Sequence, residues 1–242
     1  MKIVCISASL VPSEYANSIQ AMKACQALAQ LGHEVTLLVP GGPSSAVRGR
    51  DLMNHYGLKT PFEVVWLPAR SRRWFAWEAV RRARRLRPDL LYVWPLQAAV
   101  LGLLARLPVL LEMHDLPSGR IGPLWYRLFL KLPGRKRIAP ITRLLLAALE
   151  ERYGQVPGTA VIAANGVDLE RFAGLPGPAA ARRQLGLPEA PTIVCTGHLF
   201  VGRGANLFLD LAAAFPQANF LWAGGRPEDV DAVHHRDYRP EN

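Results

Sequence analysis

Residues 2–39, KIVCISASLVPSEYANSIQAMKACQALAQLGHEVTLLV, read as a strand, a helix and a second strand, and that reading decides the fold. Lys2 to Ser7 is a near-continuous apolar run, the pattern of a strand buried on both faces of a parallel sheet. Asn17 stands as N-cap with Gln20 three residues on, a capping-box pattern. Ile19, Met22, Cys25, Leu28 and Ala29 form the apolar stripe of the helix, and Gly32 ends it. Glu34 to Val39 is the second strand. A β-α-β unit of this length crosses over right-handed.

The alternation continues outward. Strands are expected at Phe62–Leu67, Leu90–Trp94, Val109–Glu112, Ile138–Ile141 and Ala160–Ala163. Helices are expected at Trp74–Leu86, Leu96–Ala105, Trp125–Leu132 and Thr142–Tyr153. Strands alternating with helices predict an α/β protein with a Rossmann-like, doubly wound parallel sheet over residues 1–172. Residues 173–191 are rich in Gly, Pro and Ala and read as a linker with one short helical piece. The pattern then restarts at Thr192–Gly204, TIVCTGHLFVGRG, followed by an apolar helix, Ala205 to Phe215, and a strand, Asn219 to Trp222. Residues 192–242 are expected to be an incomplete second Rossmann-like domain, because 38 residues after Gly204 are too few to finish one.

Composition narrows the function. Cys5, Cys25 and Cys195 are scattered through apolar runs, which excludes a disulfide framework or a zinc site and suits a reducing compartment. The N-terminal apolar run is too short for a signal peptide. Leu90 to Leu111 is interrupted by Pro95, Gln97, Arg106 and Pro108, so it falls short of the roughly 20 clean apolar residues of a membrane span. The net charge of +10 is concentrated: eleven Lys or Arg against three acids between Arg48 and Arg87, then Arg120, Arg127, Lys131, Arg135, Lys136 and Arg137. Such clusters attract phosphate-bearing partners. The helix Trp74–Leu86 sets arginines opposite an alanine-rich face, beside Trp74 and Trp77; an anionic membrane surface and a merely solvated face both fit. No nucleic-acid reading motif is present.

In open α/β sheets, ligands lie beyond the carboxyl ends of the strands. There the sequence departs from its apolar pattern. EMHDLPSG places Glu112, His114 and Asp115 in four positions. A carboxylate beside His114 can orient the imidazole and raise its pKa; Glu112 and Asp115 themselves read more readily as structural than catalytic. The first loop, SASLVPSEYANS, has no glycine, which argues against the GxGxxG of NAD or FAD enzymes, and no GxxxxGK[ST] occurs. Its serines, Asn17 and Ser18 offer hydroxyls and an amide suited to a sugar or phosphate. In TGHLFVGRG, a glycine turn at a helix N-terminus and Arg203 make an anion site.

Together with AANGVDLERF (Asn165, Gly166, Val167, Asp168, Arg171, Phe172) and the AGGRPEDV end, these elements resemble, in order along the whole chain, a GT-B fold glycosyltransferase of family 4. The resemblance implies an enzyme that moves a sugar from a nucleotide sugar to an acceptor with retention, without metal or other cofactor, in polysaccharide or glycoconjugate synthesis. It implies a donor-binding loop with Gly197, Arg203 and Gly204, His114 facing the transferred sugar as the catalytic-side residue, and Asn17, Ser18 and Asp115 as acceptor or sugar contacts. A sugar, lipid-linked or other small acceptor is expected, in the cytoplasm, with peripheral docking at the inner membrane face left open. Relatives carry well over a hundred further residues, including two glutamates at the donor, so the chain alone is expected to be inactive. A non-catalytic paralogue and a sugar-nucleotide epimerase of the same fold stand as alternatives.

Overall fold

A computed structural model describes residues 1–42, 50–68, 71–154, 160–199 and 202–225. The basic positions Arg48 and Arg70, and the tail from Arg226 with His234 and His235, lie outside the described residues. The chain divides into two units, Met1–Val167 and Asp168–Asn242.

The first unit is a six-stranded parallel sheet in the order β3-β2-β1-β4-β5-β6. Its strands are β1 (Lys2–Ile6), β2 (Glu34–Pro40), β3 (Glu63–Leu67), β4 (Leu90–Val93), β5 (Val109–Met113) and β6 (Lys136–Pro140). Its helices are α1 (Ala16–Gln30), α2 (Arg50–Tyr56), α3 (Arg72–Leu86), α4 (Leu96–Leu104), α5 (Gly122–Lys131) and α6 (Arg143–Tyr153). The parallel register sets Ile3 beside Val35 on one side and beside Leu90 on the other. Because helices cover both faces, the central strands are apolar almost throughout, with Thr36 of β2 and Glu112 of β5 as buried exceptions. Val4, Ile6, Leu91, Val93 and Leu111 join the core on one face with Phe75 and Ala79 of α3. Ile3, Cys5, Val35, Leu37 and Tyr92 join the other with Met22 and Cys25 of α1. Of the strands expected over residues 1–172, all but Ala160–Ala163 are present in this sheet.

Three local expectations change. Helix α1 starts at Ala16 with Tyr15 as its cap, so Asn17 lies in the first turn and does not cap. The capping-box pattern fails because the Tyr15 carbonyl already accepts the Ser18 and Ile19 amides; the fully buried Ser18 hydroxyl bonds the Tyr56 hydroxyl at 2.5 Å. Helix α2, which supplies Tyr56, carries too short an apolar pattern to be read from sequence. Finally, Ala160–Ala163 forms no full strand; a single bridge links Ala160 to Ile138, and the Val161 and Ala163 amides bond β6 carbonyls.

Burial also explains the cationic helices. In α3, Ser71 caps the helix by accepting from the Trp74 amide; Ala76, Ala79, Val80 and Ala83 face the core, and Trp74 and Trp77 stay about half exposed. Arg81 is held by Glu78 (2.7 Å) and lies over the Trp77 ring. Lys136, counted in the second basic cluster, is spent structurally. Its ammonium donates to the carbonyls of Phe129, Leu130 and Leu132 at 2.6–2.8 Å, closing the C-terminus of α5. Partial burial lowers its pKa from the ordinary lysine value.

The second unit holds a parallel pair, β7 (Thr192–Thr196) and β8 (Asn219–Ala223), with α7 (Pro178–Leu185) and α8 (Ala205–Ala214). Phe208 of α8 packs edge-to-face on Phe220 and Trp222. The division at Val167 precedes the expected end at residue 172, and the expected linker is attached to this unit. Arg182 donates to Thr192 (3.2 Å), and Asn219 donates to the Pro188 carbonyl (3.0 Å).

Candidate functional site

The sheet order reverses between β1 and β4, so the loops leaving those strands separate and open a crevice at their carboxyl ends. A cleft of about 410 Å³ sits there, entirely within the first unit. Ser7 and Ser9 follow β1, Trp94 and Pro95 follow β4, and His114, Asp115 and Ser118 follow β5. Asn17 and Gln20 of α1 complete one wall. Of the four first-unit residues expected at the site, the fold gathers Asn17, His114 and Asp115 on this cleft. Ser18 is excluded: it faces inward onto Tyr56, so its hydroxyl offers a ligand nothing.

Glu112 organises the centre. It belongs to β5, where alternation turns it to the Tyr92–Trp94 face of the neighbouring strand. Only 4% exposed, its carboxylate needs partners, since an unpaired buried charge is strongly disfavoured. It accepts from the Tyr92 hydroxyl, from the Trp94 indole N–H at 3.0 Å, and from His114 Nε2 at 2.5 Å. Tyr92 and Trp94 are the residues the sequence reading missed in this role. Their spacing on β4 was the available signal, because two residues apart on a strand share a face.

The half-buried His114 is therefore oriented from below. With Nε2 bonded to Glu112, Nδ1 is the ring nitrogen left for a ligand. Its pKa is raised above the ordinary histidine value, first by the Glu112 hydrogen bond and further by the Glu112 and Asp115 charges, against the opposing effect of desolvation. The site thus holds an oriented imidazole at one wall of a polar cleft. Burial first, then the neighbouring Cys5 and the Glu112 charge, pushes the Cys25 thiol well above its ordinary pKa; Cys5 and Cys25 are both fully buried and neither lines the cleft.

In the second unit, β7 ends at Thr196, just before Gly197, and Gly204 caps α8 in the left-handed conformation. The exposed Arg203 immediately precedes that cap, where the N–H groups of a helix start favour an anion. The Gly197 amide donates to Ala223, and its carbonyl accepts from the Trp222 indole at 3.0 Å, which pins the start of the loop to β8. Among the described residues no three His, Cys, Asp or Glu side chains gather as metal ligands, and no helix is long and apolar enough to cross a membrane.

Solved structures share this architecture. HepE of Anabaena, in complex with UDP, superposes with a TM-score of 0.63 at 20% identity, covering 97% of this chain and 65% of HepE. UDP-GlcNAc 2-epimerase from Neisseria meningitidis, bound to UDP-GlcNAc, gives 0.60 at 13% identity, covering 97% of this chain and 68% of that one. The catalytic domain of starch synthase IV from Arabidopsis thaliana, bound to ADP and acarbose, gives 0.58 at 12% identity, with 96% and 70% covered. At these identities the likeness is one of fold, and the chain spans about 65% of the length of HepE. No curated protein sequence matches the chain. The sequence model of Glycosyltransferase Family 4 matches residues 19–171, from the first turns of α1 through the cleft loops to Arg171 of the NGVDLERF segment. That match takes in well over half of the chain, and the chain belongs to Glycosyltransferase Family 4.

Proposed function

We propose that the chain is the acceptor-side domain, with the opening of the donor-side domain, of a retaining glycosyltransferase that uses a nucleotide sugar. The observation that carries this reading is the His114 ring, fixed by buried Glu112 and turned to a polar cleft at the strand-order reversal. Serine hydroxyls, amides and an oriented imidazole recognise a sugar through its hydroxyls, and no side chain is assigned as a nucleophile. That composition suits transfer driven by electrostatic stabilisation of a leaving diphosphate. In the reaction, the acceptor hydroxyl attacks the anomeric carbon, the bond to the diphosphate oxygen breaks, and the hydroxyl proton ends on the departing phosphate. His114 orients the transferred sugar. Arg203 and the α8 amides stabilise the diphosphate. No resident metal or cofactor is assigned a role, and EDTA is expected to leave turnover unchanged. The acceptor is a sugar or lipid-linked small molecule handled on the cytoplasmic side, in polysaccharide or glycoconjugate synthesis.

The test is a donor screen read by release of nucleoside diphosphate, run on this chain and on the longest natural form of the protein, with and without sugar acceptors. Acceptor-dependent release from one nucleotide sugar supports the proposal. Conversion of a nucleotide sugar to its epimer without release would instead make the protein an epimerase, the activity named for the Neisseria neighbour. Arg203→Ala is expected to weaken donor binding at least tenfold, and His114→Ala to lower kcat more than donor affinity. Wild-type kinetics in both variants would sink the assignment of the site.

A further inference from the structure

From Leu116 to Leu149 the chain carries seven Lys or Arg and no Asp or Glu, a local net charge of +7 within a total of +10. Lys136 is committed to the C-terminus of α5, but Arg120, Arg127, Lys131, Arg135, Arg137 and Arg143 are all exposed. Helix α5 lies at the centre of this stretch and is amphipathic in an unusual sense. Its inner face, with Tyr126 and Phe129, is buried in the core. Its outer face carries Leu124 and Leu128, exposed by 59 and 40%, with Arg127 and Lys131, and these four recur at three- and four-residue spacing as one stripe. The exposed Arg120 and Ile121 stand immediately before the helix.

A solvated helix face needs no leucines, and a face that binds an acidic protein through charge alone needs none either. Apolar side chains interleaved with cations suit a surface that is anionic at its boundary and hydrocarbon beneath. A second copy of the chain is a poor occupant, because two such stripes would bring like charges together. Helix α4 packs against α5 on one side and against α3 on the other, so all three cover the same side of the sheet. On α3 the exposed Trp74 and Trp77 rings lie 5.2 Å apart, tilted by 37°, in the first turns after β3. Indoles prefer the membrane–water boundary, where the ring is half apolar and its N–H stays wet. Phe75 and Gly122, neighbours of these residues in sequence, line the cleft. The starts of α3 and α5 therefore border the cleft.

We propose that the outer face of α5, with Trp74 and Trp77, docks on an anionic lipid bilayer and so holds the cleft mouth at the membrane surface. The inference is independent of the transfer reaction, since exposure, charge and topology carry it.

Vesicle co-sedimentation tests it directly, using phosphatidylcholine vesicles with and without phosphatidylglycerol, at low and high salt. The wild-type chain is expected to pellet with the anionic vesicles at least about tenfold more strongly than with the neutral ones, and less so at high salt. Leu124→Glu with Leu128→Glu should abolish pelleting while circular dichroism stays native, as both side chains are exposed. Arg127→Glu with Lys131→Glu should weaken it at least about tenfold, near the surface where each cation counts, and Trp74→Ser with Trp77→Ser should weaken it less. Absence of pelleting overturns the proposal, as does equal binding to both vesicle types or wild-type binding by both α5 variants. Light scattering that shows a dimer lost in the α5 leucine variant would assign the face to a second copy and overturn it too.

Discussion

At His114 the ring orientation is set by Glu112, a buried carboxylate at the floor of the same cleft. Glu112 holds Nε2, and its partners Tyr92 and Trp94 hold Glu112 in place. Replacing Glu112 by Gln is expected to lower the His114 pKa, followed by NMR titration of the ring protons, and to lower kcat more than KM for the donor. Stability carries the same signature. The folded His114 pKa is raised above its unfolded value near 6.5. Its contribution is therefore full below about pH 6.5 and is lost as pH rises through the folded value. The urea midpoint should fall over that window in the wild type and change less in Glu112→Gln. Tyr126 makes a second residue-scale case. Its buried hydroxyl and that of Tyr153 have no hydrogen-bond partner, and burial first, then Tyr153 and Glu150, push its pKa up to about 12. Removing an unpaired buried hydroxyl removes a desolvation cost, so Tyr126→Phe should be neutral or stabilising by up to about 1 kcal/mol in denaturant titration.

The elements differ in what anchors them. Helix α5 ends on the Lys136 ammonium, which serves three otherwise open carbonyls, so Lys136→Met should cost about 1–2 kcal/mol despite keeping the aliphatic stem. The turn after β8 depends on a missing side chain. Gly224 has a φ of +118°, and a Cβ there would stand 2.6 Å from the Gly197 carbonyl oxygen. That oxygen belongs to backbone already bonded to Trp222, so it has little room to retreat. Gly224→Ala should destabilise the second unit by about 2 kcal/mol or more and weaken nucleotide binding, measured by calorimetry on the same samples.

Across the whole molecule, the two units are unequally built. The first has a six-stranded sheet covered on both faces, whereas in the second, among the described residues, Ala205 is the one buried apolar side chain. Two parallel strands with Ile193 and Val194 exposed gain little from burial, and parallel sheets are ordinarily covered on both sides. Amide exchange is therefore expected to be at least about a hundredfold faster in β7 and β8 than in β1 and β4 of the same chain. Equal protection in the two sheets would contradict this account.

Local pattern alone determined most of the frame. Largely apolar runs identify β1, β2, β4 and β5, because a strand buried on both faces has few positions open to water. Once strands alternate with helices, their carboxyl ends become the place to look, and the polar cluster Glu112, His114 and Asp115 is visible there. Tertiary structure decided everything that depends on a partner distant in sequence. Ser18 was lost to the site because Tyr56, 38 residues away, takes its hydroxyl. Lys136 was withdrawn from the basic surface by carbonyls on the helix before it. Glu112 gained its positioning role only when parallel pairing set β4 beside β5 and brought Tyr92 and Trp94 to its carboxylate. Periodicity reports which face a residue takes, but hydrogen-bond partners across strands and helices are fixed only when the chain closes on itself.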